Sequence, residues 1–459
     1  MRKSPILGLV YTLPKCDSGN KIIYIDSEIK KISGDFKVKR QITAAILGTG
    51  SRGSMFGTLM QKHGGFKVTA GCDINSEQLL KFKKLLGIED ECLFNNEDSF
   101  FKEKRADVLV IATFDKEHVR QCVKAMKMGY DILLEKPISD SREEIELLLQ
   151  TQKETDRTVA VCHELRYGAG YERLSELLKS GAIGTLLAID AMERVAYWHQ
   201  AQAYVRIQSE RNDVAYPTIL AKCSHDLDLV QHYAGAECDT LSSIGALSFF
   251  RKENAPAGAA EYCFLCPHAE TCAYSAKRIY IDGWKRDNCP EFVWPYNKVS
   301  LKNPTTEKDL YEGLKTKCFG KCAFLCGVEE NPTVVDHQLV QMQFKNGVTA
   351  VLKMVFAQTP GRRINLFGTY GELLLDERSD TLEIRRFGEK PEIIPLKTLA
   401  ESGYGHGGGD ARLVEHLYSL LAENEENRTS LKESVESHLM GIAAEESRHS
   451  GGKAVAVHR

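Results

Sequence analysis

Between Gln41 and Cys162 the spacing of apolar residues keeps changing, and each change marks an element. Thr43–Leu47, Lys67–Cys72, Asp107–Ala112 and Asp131–Leu134 are short runs rich in β-formers and predict strands, with Val159–Cys162 as a closing strand. Between them, Ser54–Lys62, Ser76–Leu85, Lys116–Met128 and Ser141–Thr155 place apolar residues at helical spacing. Such alternation implies a parallel sheet covered on both faces.

After Gly181 the pattern lengthens. Alternating runs at Leu186–Val195, Val335–Phe344, Val348–Phe356, Arg363–Phe367 and Leu382–Phe387 predict a mostly antiparallel sheet, with Lys345-Asn346-Gly347 as a hairpin turn. Helices are predicted at Pro217–Tyr233, Ala411–Glu423 and Leu431–Ser447. The expected architecture is an α/β Rossmann domain over 41–162 followed by an α+β domain over 163–459 with a mostly antiparallel open sheet. A Cys-rich insertion is expected at about 252–330. Residues 1–40 read as an N-terminal arm, with a hairpin through Ile22–Ile25. The open face of the second sheet would leave apolar surface uncovered in a monomer, so a homo-oligomer is expected.

A chain of 459 residues is too long for one ordinary core, which agrees with two domains. The net charge is −3 with both signs scattered, which argues against nucleic acid or an acidic membrane surface as partner. No apolar run approaches the ~18–20 residues that span a bilayer. The apolar stretch Pro5–Leu13 is cut by Pro14 and lacks a small-x-small cleavage site, so a cytoplasmic location is expected. Of the fourteen cysteines, seven are scattered between Cys16 and Cys238 and read as reduced core thiols; the others fall between Cys263 and Cys326.

The first chemistry-bearing motif is Gly48-Thr49-Gly50-Ser51-Arg52-Gly53, which follows a strand and opens a helix. Asp73 ends the next strand, 20 residues beyond Gly53, the spacing of a dinucleotide fingerprint. Gly48 permits the tight turn, Gly50 lets the backbone approach a pyrophosphate, and Gly53 allows close helix packing. Asp73 would bind the ribose hydroxyls and favour NAD, while Ser51 and Arg52, as further phosphate contacts, keep NADP open. Thr113 and Glu135-Lys136-Pro137 end later strands and are expected to line the nicotinamide crevice.

The second motif, Lys222-Cys223-Ser224-His225-Asp226-Leu227-Asp228, lies in the helix of the second domain. Lys222, His225 and Asp228 share one helical stripe. A nearby Lys biases His225 towards the neutral imidazole that accepts a proton from an alcohol. Asp228 is expected to orient the ring.

With these motifs the chain, from Ile42 to Val457, resembles the glucose–fructose oxidoreductase/inositol dehydrogenase/MocA (Gfo/Idh/MocA) family. The resemblance implies Lys136 as active-site lysine and His225 as acid/base, with hydride passing between NAD(P) and a hydroxyl of a sugar, cyclitol or glycoside. It also allows a glycosidase that recycles bound NAD, or a non-catalytic NAD-binding protein. Ala221 stands where many family sugar dehydrogenases carry an Asp. A narrower branch shares Ala221-Lys222-Cys223-Ser224-His225-Asp226, Trp198-His199, Val205-Arg206 and the cysteine insertion. This chain departs from that branch at Gln202, commonly His, and Ile207, commonly Gly.

Cys263-Phe264-Leu265-Cys266 is followed by Cys272, Cys318, Cys322 and Cys326. Cys263, Cys266, Cys272 and either Cys322 or Cys326 could form a structural zinc site that staples an insertion with little core of its own. An iron–sulfur cluster, disulfides and free thiols stay open on the same spacing. Asp410 is expected to cap the helix after Gly405-His406-Gly407-Gly408-Gly409, and His406 is a secondary candidate for the cleft. His163 and Arg166-Tyr167 either face the cleft or form a buried polar cluster at the domain junction.

Overall fold

The computed structural model describes residues 40–458 apart from 211–215, 291–293, 301, 303 and 400–405; the N-terminal arm and Cys16 lie outside the described residues. The first sheet contains β1 (Ile42–Leu47), β2 (Phe66–Cys72), β3 (Leu93–Phe94), β4 (Val108–Ile111), β5 (Asp131–Leu134) and β6 (Val159–Val161), in the order β3-β2-β1-β4-β5-β6. Every pair is parallel. Its helices are α1 (Ser51–His63), α2 (Ser76–Leu86), α3 (Glu97–Phe100), α4 (His118–Lys127) and α5 (Arg142–Thr155). Asn75 and Ser141 start α2 and α5 by accepting first-turn N–H groups on their side chains. The pattern missed β3 because two residues are too few to show a period.

The second sheet follows α6 (Ala169–Lys179). It has nine strands: β7 (Leu186–Ala196), β8 (Cys238–Ala246), β9 (His337–Phe344), β10 (Thr349–Ala357), β11 (Gly361–Gly368), β12 (Gly371–Asp376), β13 (Thr381–Arg386), β14 (Glu392–Pro395) and β15 (Val455–Ala456). Their order is β14-β13-β12-β11-β7-β10-β9-β8-β15, antiparallel except where β7 runs parallel to β10. Gly347, at φ 89°, closes the predicted β9–β10 hairpin. The remaining helices are α7 (Tyr197–His199), α8 (Thr218–Ala234), α9 (Gly283–Arg286), α10 (Tyr296–Val299), α11 (Glu307–Thr316), α12 (Gly409–Glu423) and α13 (Leu431–His449). α8 and α13 cover one face of the sheet through Ile219, Leu220, Leu227, Val435 and Met440. Leu187, Ile244, Phe367 and Ile393 are exposed. Among the described residues no helix is long and apolar enough to cross a membrane.

α12 returns to the first sheet, where Leu413, Val414, Leu417 and Tyr418 join Phe56, Met60 and Phe66 in one core. A helix near the C-terminus thereby completes the layer that begins with α1. The insertion also has apolar cores, more than the little core expected of it. Ile279, Tyr280, Ile281, Trp284, Leu310 and Leu314 form one, and Val205, Phe250, Phe324 and Val328 belong to a second.

The turn between β1 and α1 is set by contact. A Cβ on Gly48 would lie 2.4 Å from the Ala112 carbonyl oxygen, and one on Gly53 would lie 1.9 Å from that of Gly48. At Gly50 a Cβ would meet nothing within 4 Å. Gly53→Ala should therefore lower the free energy of urea unfolding by about 1–3 kcal/mol, with Gly50→Ala costing less than Gly53→Ala; equal losses would refute this account of the turn.

Candidate active site

The glycine turn leaves open space at Gly50 beside the N-terminus of α1, whose first N–H groups have no intrahelical acceptor. This geometry fits a dinucleotide pyrophosphate. Asp73 Oδ2 accepts from the Thr49 N–H at 2.8 Å and from Thr49 Oγ1 at 3.2 Å, and its Oδ1 accepts from the Asn75 N–H at 2.8 Å. The carboxylate is thus fixed at the end of β2, where ribose hydroxyls are expected. Ser51 Oγ accepts from Lys298 Nζ of the insertion at 3.4 Å. Thr113 donates to Gln121 Oε1 at 2.5 Å.

Arg52, at the start of α1, is engaged by three carboxylates. Its Nε donates to Glu135 Oε1, one terminal nitrogen to Asp410 Oδ1 at 2.9 Å, and the other to Glu164 Oε1 at 3.3 Å. Burial alone would lower the guanidinium pKa, but the three carboxylates hold it well above its usual value. Asp410 is consequently not the cap of α12: Gly408 occupies that position and Asp410 turns inward to Arg52. Glu135 meets Arg52 rather than open crevice.

The same clamp holds Glu164, whose Oε1 lies 3.5 Å from His225 Nε2. Glu164 is 1% exposed and His225 5%. Glu164, from the turn after β6, is thus a partner of His225 that the helical stripe did not predict. Asp228 is taken by Arg166 through two hydrogen bonds, at 2.8 and 2.7 Å, and stands 3.5 Å from His163 Nε2. A planar guanidinium pairs both carboxylate oxygens. Sequence spacing identified the helical stripe but not the neighbours entering from other elements. The one available signal for Glu164 was its place just beyond a strand's carboxyl end.

Lys136 follows β5, and its Nζ donates to the Ala221 carbonyl at 3.3 Å, which brings it against α8 near His225. Burial pushes the ammonium pKa down; Glu164 and Glu135 oppose that shift and Lys222 adds to it. Lys222 itself pairs with Glu193 Oε1 at 3.0 Å. Burial, with Lys222 and Lys136 adding to it and Glu193 opposing, takes the His199 pKa down to about 3. His163, Arg166 and Tyr167 form the buried polar cluster, and the His406 side chain lies outside the described residues.

The four expected zinc ligands, Cys263, Cys266, Cys272 and Cys322, line one cavity of about 10 Å³, room for a single water. They do not form a ligand set. Among the described residues no group of three or more His, Cys, Asp or Glu side chains is placed to hold a metal ion, and these cysteines are free thiols. The insertion's own cores remove the need for a staple. Arg206, 0% exposed, adds a polar anchor by donating to the carbonyls of Tyr274 at 2.6 Å and Lys321 at 2.7 Å.

Residues 42–163 match the family model described as an oxidoreductase family, NAD-binding Rossmann fold; residues 175–457 match the model of its C-terminal alpha/beta domain. YteT of Bacillus subtilis (strain 168) is 22% identical over 335 residues, covering 70% of this chain and 74% of YteT. A glycosyl hydrolase family 109 protein of Solibacter usitatus (strain Ellin6076) is 28% identical over 261 residues. That match spans 50% of this chain and 57% of the relative, little more than half of it. Levoglucosan dehydrogenase in complex with NADH and levoglucosan shares the fold, with a TM-score of 0.65 at 14% identity, covering 91% of this chain and 100% of that one.

His163 is 0% exposed, and burial with Arg166 and Lys136 lowers its pKa from 6.5 to about 4, against the pull of Asp228. Between these values the unfolded chain binds the proton and the folded chain does not. The stabilisation is full above pH 6.5 and is lost as the pH falls towards 4. Urea titrations across this range should show His163→Asn with a shallower pH slope than the parent, by roughly 1.4 kcal/mol per pH unit. Identical slopes would contradict a neutral, buried His163.

Proposed function

Because the chain belongs to the Gfo/Idh/MocA oxidoreductase family, we propose that it transfers hydride between NAD and a carbon-bound hydroxyl of a sugar, cyclitol or glycoside. The observation that carries this reading is the meeting of Lys136, His225 and Glu164 beside the carboxyl ends of β5 and β6. Gly48, Gly50, Gly53 and Asp73 would hold the dinucleotide, which when bound supplies the hydride acceptor or donor. NAD is favoured because the fixed Asp73 carboxylate would repel a 2′-phosphate.

His225 takes the hydroxyl proton on oxidation and returns it on reduction. Glu164 orients the imidazole and balances the charge it acquires. Lys136 donates a hydrogen bond to the reacting oxygen, and burial strengthens that interaction. Arg52 acts through Glu164 as a positioning residue. Lys222 belongs to the wall around His199 and Glu193, while Asp228 fixes Arg166 behind the site.

With a saccharide that reduces NAD, His225→Ala should lower kcat by about 10²–10⁴-fold while the Kd for NAD, read by fluorescence titration, stays near that of the parent. Glu164→Gln should lower kcat by about tenfold, or about 1.4 kcal/mol of barrier, because the imidazole loses its orienting carboxylate but stays in place. A parental rate in His225→Ala would remove the mechanism.

The exposed apolar side chains Leu187, Ile244, Phe367 and Ile393 support a homo-oligomer built on the second sheet. Light scattering should give a mass of at least twice 51.4 kDa; a monomer would count against it.

A further inference from the structure

The insertion touches both the dinucleotide turn and the segment that follows β7. Lys298 meets Ser51 of the dinucleotide turn. Trp294 packs its ring 4.8 Å from His199 at 81° and 4.7 Å from Trp198 at 52°. Trp198 also touches the insertion's core, whereas Trp294 lies outside that core and is 43% exposed. Trp284 and Tyr296 provide the core's aromatic bulk, so Trp294 is not needed to fill it.

A lone exposed aromatic requires no explanation. Trp294 differs through its neighbour. β7 carries Glu193, paired with Lys222, and runs directly into α7 with Trp198 and His199, while Lys222 adjoins Ala221, whose carbonyl accepts from Lys136; Trp294 packs at the end of that path. Burial keeps the His199 imidazole neutral, with one nitrogen to donate and one to accept. The Lys222–Glu193 pair adds further polar groups. Two tilted indoles beside a neutral imidazole and an ion pair offer apolar faces and hydrogen-bonding edges together, the combination that a pyranose ring with its C–H face and hydroxyl rim requires.

Resting on the function proposed above, we infer that Trp294 and Trp198 form a subsite for a second sugar ring, so that the substrate is a glycoside of at least two rings. His199 hydrogen-bonds the hydroxyls of that ring. Lys136 and His225 act on the ring held next to the nicotinamide. The insertion thereby selects chain length, and the dinucleotide turn and α8 carry out the redox step.

The test compares glucose and galactose with maltose, cellobiose and lactose, using full-length parent, Trp294→Ala and Trp294→Phe. Turnover is read as NADH formation, and binding separately as quenching of tryptophan fluorescence in the presence of NAD. In the parent, the best disaccharide should exceed its monosaccharide by about tenfold in kcat/KM, as expected for a stacking contact. Trp294→Ala should collapse that ratio through KM, and Trp294→Phe should restore part of it. Equal use of one- and two-ring sugars, or a ratio untouched in Trp294→Ala, overturns the subsite. A loss of NAD affinity in Trp294→Ala, with the ratio intact, would instead make Trp294 a cover for the cofactor and also overturn it. Disaccharides that quench the parent but not Trp294→Ala, with no NADH formed by any sugar, would uphold the subsite while defeating the redox reading. No binding by any disaccharide overturns the subsite.

Discussion

Arg52 draws Glu135, Glu164 and Asp410 onto one guanidinium, and the geometry of the cleft follows from that arrangement. The three acids come from the end of β5, the turn after β6 and the first turn of α12, while Arg52 lies in the first turn of α1. Buried carboxylates without a cation would have to take up protons or return to water. With Arg52 among them they stay together, and their elements are fixed to one another. Glu164 is then held at the distance from which it meets His225.

A second layer of the same logic lies behind the site. Arg166 holds Asp228 through both oxygens, and His163 and His438 fill the space around them as neutral rings. His438 accepts from the Ile138 N–H at 2.8 Å, while its other nitrogen lies 3.0 Å from the Ser434 carbonyl. α13 is thereby tied to the turn that carries Lys136. Charges and neutral imidazoles are sorted by burial: Arg166 and Asp228 keep their charges as a pair, while burial outweighs the pull of Asp228 on His163 and leaves both rings neutral.

The insertion follows a different principle. Its cores are apolar, and Arg206 is satisfied by backbone carbonyls rather than by a carboxylate among the described residues. The segment is therefore a packed unit with its own polar anchor. It carries Lys298 to Ser51 of the dinucleotide turn and Trp294 to His199 without contributing to the Rossmann sheet.

Local periodicity determined much of this protein from sequence alone: the βα alternation, the glycine turn, Asp73 at a strand end and the β9–β10 hairpin. Each depends on backbone geometry within a few residues, or on the rule that ligands sit at the carboxyl ends of parallel strands. Tertiary structure decided how the charges are paired. Spacing on α8 put Lys222 and Asp228 in line with His225, yet their partners, Glu193 on β7 and Arg166 after β6, arrive from distant sequence. The same holds for Asp410, suited to a cap by residue type but drawn inward by Arg52, and for the cysteines, four of which line one small cavity without forming, among the described residues, a group placed to hold a metal ion. Ion pairs and ligand sets depend on distances in space, and only the packed chain fixes those.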